Sequence, residues 1–476
     1  MVDIILVNPP YPSAVQKYVG SAPPLGLAYL AAVARDLGLK VRILDMNVEK
    51  LSIDDAVEII SREDPLILGV TCTTPSYPRA ISLIKYVKRV KPNTVTIMGG
   101  PHVTFTHLEV MEEVPEVDVI VRGEGEITFK ELCTHYFFGE IPLREIRGIT
   151  FRIRGEVFVN PDREPITDLD KLPFPAWDLL DLAKYGVAGE VAVPILTSRG
   201  CPYSCVFCSS SKLFGKKYRA RSPKNVVDEV EYLYRRFGIR QFGIIDDIFT
   251  LDRRRAKRIA EEIIERGLEV TWACSSRVDT VDHETLVKLR EAGCATIYFG
   301  VESGCQEIVD WYGKGIRLEK VPEVLKMCKD LGFITVTSFI LGAPYDNWYT
   351  IGKTIEFAKK LNPDYAQFTL LTPYPGTYLW EFARKNNLIV DWNLEHYDTL
   401  HPVMKTFYLS ARDLAKALAK AYIAFYGSFN FIAKILKRRG KAEMKILWKA
   451  FYGVFKELSN YIKLVIVSRI GKVFSI

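Results

Sequence analysis

Between residues 1 and 140, short apolar runs alternate with stretches whose apolar positions recur every three or four residues. The runs are Ile4–Val7, Val41–Leu44, Leu66–Thr71, Val95–Met98 and Val117–Val121; helical spacing follows at Leu25–Leu37, Asp54–Ser61, Tyr77–Val90, His107–Val114 and Thr128–Phe138. An unbroken apolar run is a strand covered on both faces, and a 3.6-residue stripe is an amphipathic helix. Their alternation predicts a doubly wound, Rossmann-like parallel sheet, which binds ligands beyond the carboxyl ends of its strands. Those ends carry Asn8-Pro9-Pro10-Tyr11, Thr73-Thr74-Pro75, Gly99-Gly100-Pro101-His102 and Gly123-Glu124-Gly125-Glu126. Each loop alone reads equally as turn punctuation; four on one edge favour a ligand site.

Residues 141–192 read as a connector. They hold a hairpin (Ile149–Ile153 and Glu156–Val159 about Arg154-Gly155) and then a Pro- and Asp-rich stretch. Residues 193–375 resume the alternation, with strands expected at Val193–Thr197, Gln241–Ile245, Val270–Ala273, Thr296–Gly300, Thr335–Leu341 and Ala366–Thr369. Six units fall short of the eight of a closed barrel, so a partial (β/α)6 barrel is expected. Residues 376–476 read as a mainly helical region.

The composition, 476 residues with 48% apolar and 25% charged, suits about three globular domains and excludes a disordered chain or a disulfide scaffold. The net charge of +7 is uneven: residues 411–476 balance to +11 and the rest to −4. From Met444 onward, Leu447, Trp448, Phe451, Phe455, Leu458, Ile462 and Val465 recur at helical spacing, with Lys445, Lys449, Lys456 and Lys463 on another face. Such a basic amphipathic helix either lies on an anionic membrane or caps the barrel with solvated lysines. No motif supports nucleic-acid binding. Neither a signal peptide nor an 18-residue apolar span is evident, so the expected place is the cytoplasm, with peripheral contact on the membrane's inner face.

Three of the nine cysteines fall within eight residues, Cys201-Pro-Tyr-Ser-Cys205-Val-Phe-Cys208, directly after an expected strand. Thiolates packed this closely suit zinc or an iron–sulfur cluster. Structural zinc wants four closed ligands, and Cys274, Cys294, Cys305 and Cys328 are scattered singly along the chain. Three ligands leave one iron of a four-iron cluster open.

This spacing, with Phe207 before the last cysteine, resembles the radical SAM superfamily over residues 190–375. The resemblance implies a 4Fe–4S cluster on Cys201, Cys205 and Cys208, with S-adenosyl-L-methionine (SAM) chelating the open iron. One-electron cleavage would give a 5′-deoxyadenosyl radical that takes hydrogen from an unactivated carbon, the electron coming from a ferredoxin- or flavodoxin-type donor. It also implies SAM contacts from Asp246 or Asp247 (otherwise a helix N-cap), from Ser275 and Arg277 (the latter otherwise in an ion pair), and from Glu302, a carboxylate too costly to bury at a strand end without a partner.

The preceding domain resembles that of cobalamin-binding radical SAM enzymes, through Asn8-Pro9-Pro10, Pro24-Leu25-Gly26-Leu27-Ala28-Tyr29-Leu30, Gly99-Gly100-Pro101-His102, Arg122-Gly123-Glu124-Gly125-Glu126 and, downstream, Phe174-Pro175-Ala176-Trp177-Asp178. The corrinoid would then lie against Asn8, Pro9, Pro10, Thr73, Thr74, Gly99, Gly100, His102, Gly123 and Glu124. None of the six histidines sits in an Asp-x-His-x-x-Gly motif, so no lower cobalt ligand is assigned; His102 is in a suitable loop. The methylthiotransferase branch, with three more cluster cysteines in its N-terminal domain, fails, because only Cys72 and Cys133 lie there. The implied reaction is methylation, cyclisation or cross-linking of a small molecule, preferably a lipid. Alternatives are a soluble tetrapyrrole or secondary metabolite, or a non-catalytic iron–sulfur or corrinoid carrier.

Overall fold

The computed structural model describes residues 2–11, 20–187, 191–431 and 434. The amphipathic stretch from Met444 lies outside the described residues.

The first sheet holds β1 (Ile4–Asn8), β2 (Val41–Asp45), β3 (Ile67–Thr71), β4 (Val95–Gly99), β5 (Val119–Val121), β6 (Ile149–Ile153) and β7 (Glu156–Val159), in spatial order β2-β1-β3-β4-β5-β6-β7. The first five are parallel, as expected. Alternate residues feed two cores: Ile4 and Leu6 join one, Ile5 and Val7 the other. The order reverses between β1 and β3, and there the crevice of a doubly wound sheet opens. The hairpin assigned to the connector instead extends this sheet, with β6 antiparallel to β5. Its cause is Arg122, which donates to Ile149 O at 2.9 Å and Asn160 O at 2.6 Å and so binds the hairpin to the end of β5.

The second sheet is parallel throughout, in the order β8 (Val193–Ile195), β9 (Gln241–Ile244), β10 (Thr271–Ser276), β11 (Cys294–Glu302), β12 (Ile334–Leu341) and β13 (Tyr365–Leu370). This is the six-stranded partial barrel. Helices cover its outer face, where Ile244, Trp272, Phe299, Leu341 and Phe368 are buried. The helix Ala411–Tyr426 closes the far edge, its Tyr422 hydroxyl donating to Phe368 O at 2.9 Å.

The two sheets are joined by buried charge. Glu124, beyond β5, takes Arg219 and Arg199, and Glu126 takes Arg199; all four side chains are buried. The backbone NH of Ile166 also donates to Glu124, at 3.1 Å. The Phe174–Asp178 motif adds a second tie: Trp177 Nε1 donates to Glu229 at 3.0 Å, and Asp178 pairs with Arg35.

Removing one partner of a buried pair strands the other in low dielectric. Glu124→Gln strips Arg219 of its carboxylate, and a loss of about 3–5 kcal/mol is expected in denaturant unfolding. Asp178→Asn, which breaks the exposed pair with Arg35, should cost less than about 1 kcal/mol.

Candidate active site between the two sheets

The cysteine loop leaves β8 through a tight passage. Gly200 has φ +91°, and a Cβ there would overlap the Lys217 carbonyl, so only glycine delivers Cys201 into position. Cys201, Cys205 and Cys208 are free thiols, partly exposed, while the other six cysteines are buried. Burial raises all three thiols, Cys208 to about 11. The positive charges of Lys314 and Arg277 act in the opposite sense on Cys205. Partly exposed thiols on one loop beside two cations are a fitting donor set for an anionic iron–sulfur centre. Cys274, Cys294 and Cys328, distant in sequence, meet in the barrel core as small apolar groups.

Glu302 ends β11 with φ +68°, an unusual backbone for a glutamate, where the register with β12 shifts. Its carboxylate accepts from Lys314 Nζ at 2.7 Å and from Ser338 Oγ at 3.4 Å. Gly300 makes room for this pair, since a Cβ there would overlap both charged groups. Although burial opposes it, Glu302 keeps Lys314 protonated.

Arg277 is buried with its fork on Asp279, at 2.9 and 2.8 Å, and Nη2 also donates to Lys314 O. Its guanidinium lies 3.6 Å from the ring centroid of Tyr203, in the cysteine loop. The ion pair given as the alternative to a SAM contact is the one found: the fork is filled by Asp279. Asp246 is corrected likewise. It is buried and accepts from Thr197 N, Thr197 Oγ1 and Ser198 Oγ at 2.5–2.6 Å, which fixes the chain just before the cysteine loop. Asp247 is exposed, accepts from Ser210 Oγ, and acts electrostatically on Cys201 and Cys208. Ser275 faces the inside of the barrel, partly exposed. Phe207, an expected cofactor contact of the cysteine motif, packs against Tyr312, with ring centroids 5.2 Å apart.

The inner face of the barrel is open. Ile245, just past β9, is 50% exposed and Tyr298 on β11 is 45% exposed. Parallel sheets are ordinarily covered on both faces, so a ligand surface is the physical reading of such exposure. From β9 to β13 the inward positions carry no charge before Glu302: Gly243, Ala273, Ser275, Tyr298, Ser338 and Gln367 are typical.

Cavities lined by described residues lie between the sheets. One of about 370 Å³ is mostly apolar and reaches from β1, β3 and β4 to Ile245, with Gly26, Gly99, Gly100, Gly123 and Glu124 in its wall. A Cβ on Gly26 or Gly123 would meet nothing within 4 Å. Glu126 Oε2, also in this wall, is buried without a hydrogen-bond partner. Another, about 430 Å³ and more polar, opens at the switch point: Asn8, Thr73 and Thr74 face Ser209 and Pro375. A glycine-lined apolar cavity and a polar crevice that share Thr71 and Pro101 in their walls suit a corrinoid and its polar side chains. Pro9 and Pro10 line neither cavity; Pro9 O accepts from Asn47. The Glu124 carboxylate is spent on the inter-sheet clamp.

His102 lines neither cavity. It is buried in the short helix Pro101–Phe105, with Nδ1 3.2 Å from Thr74 Oγ1 and its ring against Tyr77. It is therefore a packing residue here, not a group offered to cobalt. Sequence reading missed Arg199, Arg219, Lys314, Tyr203 and Ile245. The arginines flanking the cysteine loop and the Lys314-Gly315 pair were visible signals, but their partners are far away in sequence.

A family model for the B12 binding domain matches residues 13–133, and one for the radical SAM superfamily matches residues 195–358. A Pyrococcus horikoshii protein named as an uncharacterised methyltransferase is 43% identical over 459 residues, covering 94% of this chain and all of the relative. The anaerobic magnesium-protoporphyrin IX monomethyl ester cyclase of Rubrivivax gelatinosus is 32% identical, covering 90% and 78%. The hopanoid C-3 methylase of Methylococcus capsulatus is 26% identical, covering 83% and 75%. Among solved structures, the radical enzyme OxsB with aqua-cobalamin and SAM superposes with TM-score 0.74 at 19% identity, covering 95% of this chain and 71% of that one. The chain belongs to the cobalamin-binding radical SAM enzymes. It is an enzyme of the methylase and cyclase branch, and its cofactors are a 4Fe–4S cluster, SAM and cobalamin.

Burial lowers the His102 pKa to about 4, from about 6.5 in the unfolded chain. Between those values the unfolded state binds more protons, so stability falls as pH falls from about 6.5 to about 4, by roughly 3 kcal/mol from this group. His102→Gln, which cannot titrate, should flatten that acid limb in urea unfolding at stepped pH.

Proposed function

We propose that the enzyme takes hydrogen from an sp³ carbon of a hydrophobic substrate, a membrane lipid by preference, and that the carbon is then methylated, closed into a ring or cross-linked. The observation that carries this is the open, uncharged inner face of the barrel, with Ile245 and Tyr298 bare on a sheet that would otherwise be covered. Such a wall removes apolar substrate surface from water at about 25 cal/mol per Å², and these strand positions offer no cation to a phosphate or carboxylate.

In this reading Cys201, Cys205 and Cys208 hold the cluster, and Asp247, Ser275 and Glu302 contact SAM. When bound, the cluster and SAM supply the carbon-centred radical, and cobalamin a methyl group or an electron. Arg277 and Lys314 position the cysteine loop and Glu302. Asn8, Thr73, Thr74, Gly99, Gly100 and Gly123 line the corrinoid cradle. Hopanoid methylation in one relative supports a lipid substrate; ring closure on a tetrapyrrole in another supports the alternative. No helix among the described residues is long and apolar enough to cross a membrane. The proposed membrane contact is peripheral and uses the basic tail.

Cys208→Ala should lower 5′-deoxyadenosine formation at least 100-fold in anaerobic turnover with SAM and dithionite; an unchanged rate contradicts the ligand assignment. Mass spectrometry of total lipids, with and without the gene, tests the substrate. A lipid short of one CH₂ in the deletion strain indicates methylation, and one with two extra hydrogens indicates ring closure or cross-linking. An unchanged lipid profile would overturn the lipid assignment in favour of a soluble tetrapyrrole or secondary metabolite.

A further inference from the structure

A file of aromatic rings leads from the cysteine loop to the surface. Phe207, between Cys205 and Cys208, meets Tyr312 at 5.2 Å, and Tyr312 meets Trp311 at 5.6 Å. Trp311 meets Tyr345 at 6.0 Å, and Tyr345 meets Phe407 at 5.4 Å. Tyr312 is buried, whereas Tyr345 and Phe407 are 44% and 45% exposed. The loop backbone is fastened to the same wall: Val206 N donates to Tyr312 O at 3.0 Å, and Leu379 N donates to Val206 O at 2.9 Å. The surface thus comes within a few ring widths of the cysteines.

The outer end is formed as a contact surface. Phe407 N donates to Pro344 O at 2.9 Å, so the two rim segments are held together. Tyr378 is exposed and is linked to Tyr345 and Phe407 through Phe382, and Trp348 and Tyr349 are exposed three and four residues after Tyr345. A contiguous exposed aromatic patch marks an interaction site more often than chance surface does. Its border is positive. Lys353 lies over the Tyr349 ring at 4.6 Å and Lys420 over the Trp348 ring at 5.9 Å. Exposed Lys405 stands two residues before Phe407. Lys353 is hydrogen-bonded to Tyr349 and interacts with Glu307. An apolar centre bordered by three lysines, of which Lys353 also faces Glu307, complements a small acidic protein and steers its approach.

We propose that the patch centred on Tyr345 and Phe407 docks the enzyme's electron donor, an acidic one-electron carrier protein of ferredoxin or flavodoxin type. The proposal rests on the cluster assignment above. One electron leaves the donor's reduced centre, which is oxidised by one unit, and takes the 4Fe–4S cluster from its 2+ to its 1+ state. No bond or proton moves at the patch. The ring file favours a redox partner over a membrane, because lipid docking has no need of contacts that end at Phe207.

The test compares two reductants on the reconstituted holoenzyme, following the bleaching of the cluster's visible absorbance. Reduced flavodoxin is the protein donor, and dithionite needs no docking site. Tyr345→Glu and the double variant Lys353→Glu/Lys405→Glu should slow reduction by flavodoxin at least tenfold and leave the dithionite rate within twofold. The wild-type flavodoxin rate should also fall as salt is raised. Equal flavodoxin rates in wild type and both variants would overturn the proposal, as would parallel losses with both reductants. Loss of binding to phosphatidylglycerol vesicles in these variants, with the flavodoxin rate unchanged, would overturn it in favour of a lipid contact. A wild-type protein that dithionite cannot reduce would instead overturn the cluster assignment.

Discussion

The architecture depends on a buried clamp of charge. Glu124 and Glu126 belong to the loop edge of the first sheet, and Arg199 and Arg219 belong to the barrel. Arg199 stands two residues before Cys201, so the clamp that joins the domains also sets where the cysteine loop begins. Burying four charges is expensive, and replacing them by apolar groups often stabilises a protein. Their retention is intelligible if the gain is a fixed register between the corrinoid cradle and the cysteines. Asp246 performs a similar task from below, holding Thr197 and Ser198 while Arg255 secures the Thr197 carbonyl at 2.8 Å.

Beyond the clamp, the site combines features that folding alone would avoid. A glutamate sits in left-handed backbone, a lysine is buried against it, and the inner face of a parallel sheet is left bare. Each is a departure from ordinary packing, and all converge on the space between the barrel mouth and the loops of the first sheet. Departures that coincide in space are more informative than any one of them.

Much of this was legible in the sequence for a physical reason. Strands of the first sheet are apolar on both faces and those of the barrel on their helix-covered face, so all eleven strands expected in the two sheets are found close to the expected positions. The cysteine spacing is local, and its placement after a strand needed no tertiary information. What escaped were the partners. That Glu124 belongs to Arg219, that Asp279 fills the fork of Arg277, and that Thr74 and Tyr77 enclose His102 are consequences of long-range packing. A polar residue in a loop looks like a ligand contact until its protein partner is seen. The hairpin was displaced for the same reason: its spacing defines two paired strands but not the sheet they join.

The central claim is that three thiolates hold a cluster with one iron open to SAM. Electron paramagnetic resonance of the reconstituted, reduced protein, recorded before and after SAM is added, tests it most directly. The account predicts one 4Fe–4S signal per chain whose g values shift when SAM binds the open iron. A signal indifferent to SAM, or a protein that takes up zinc at these cysteines and shows no cluster signal, would contradict it.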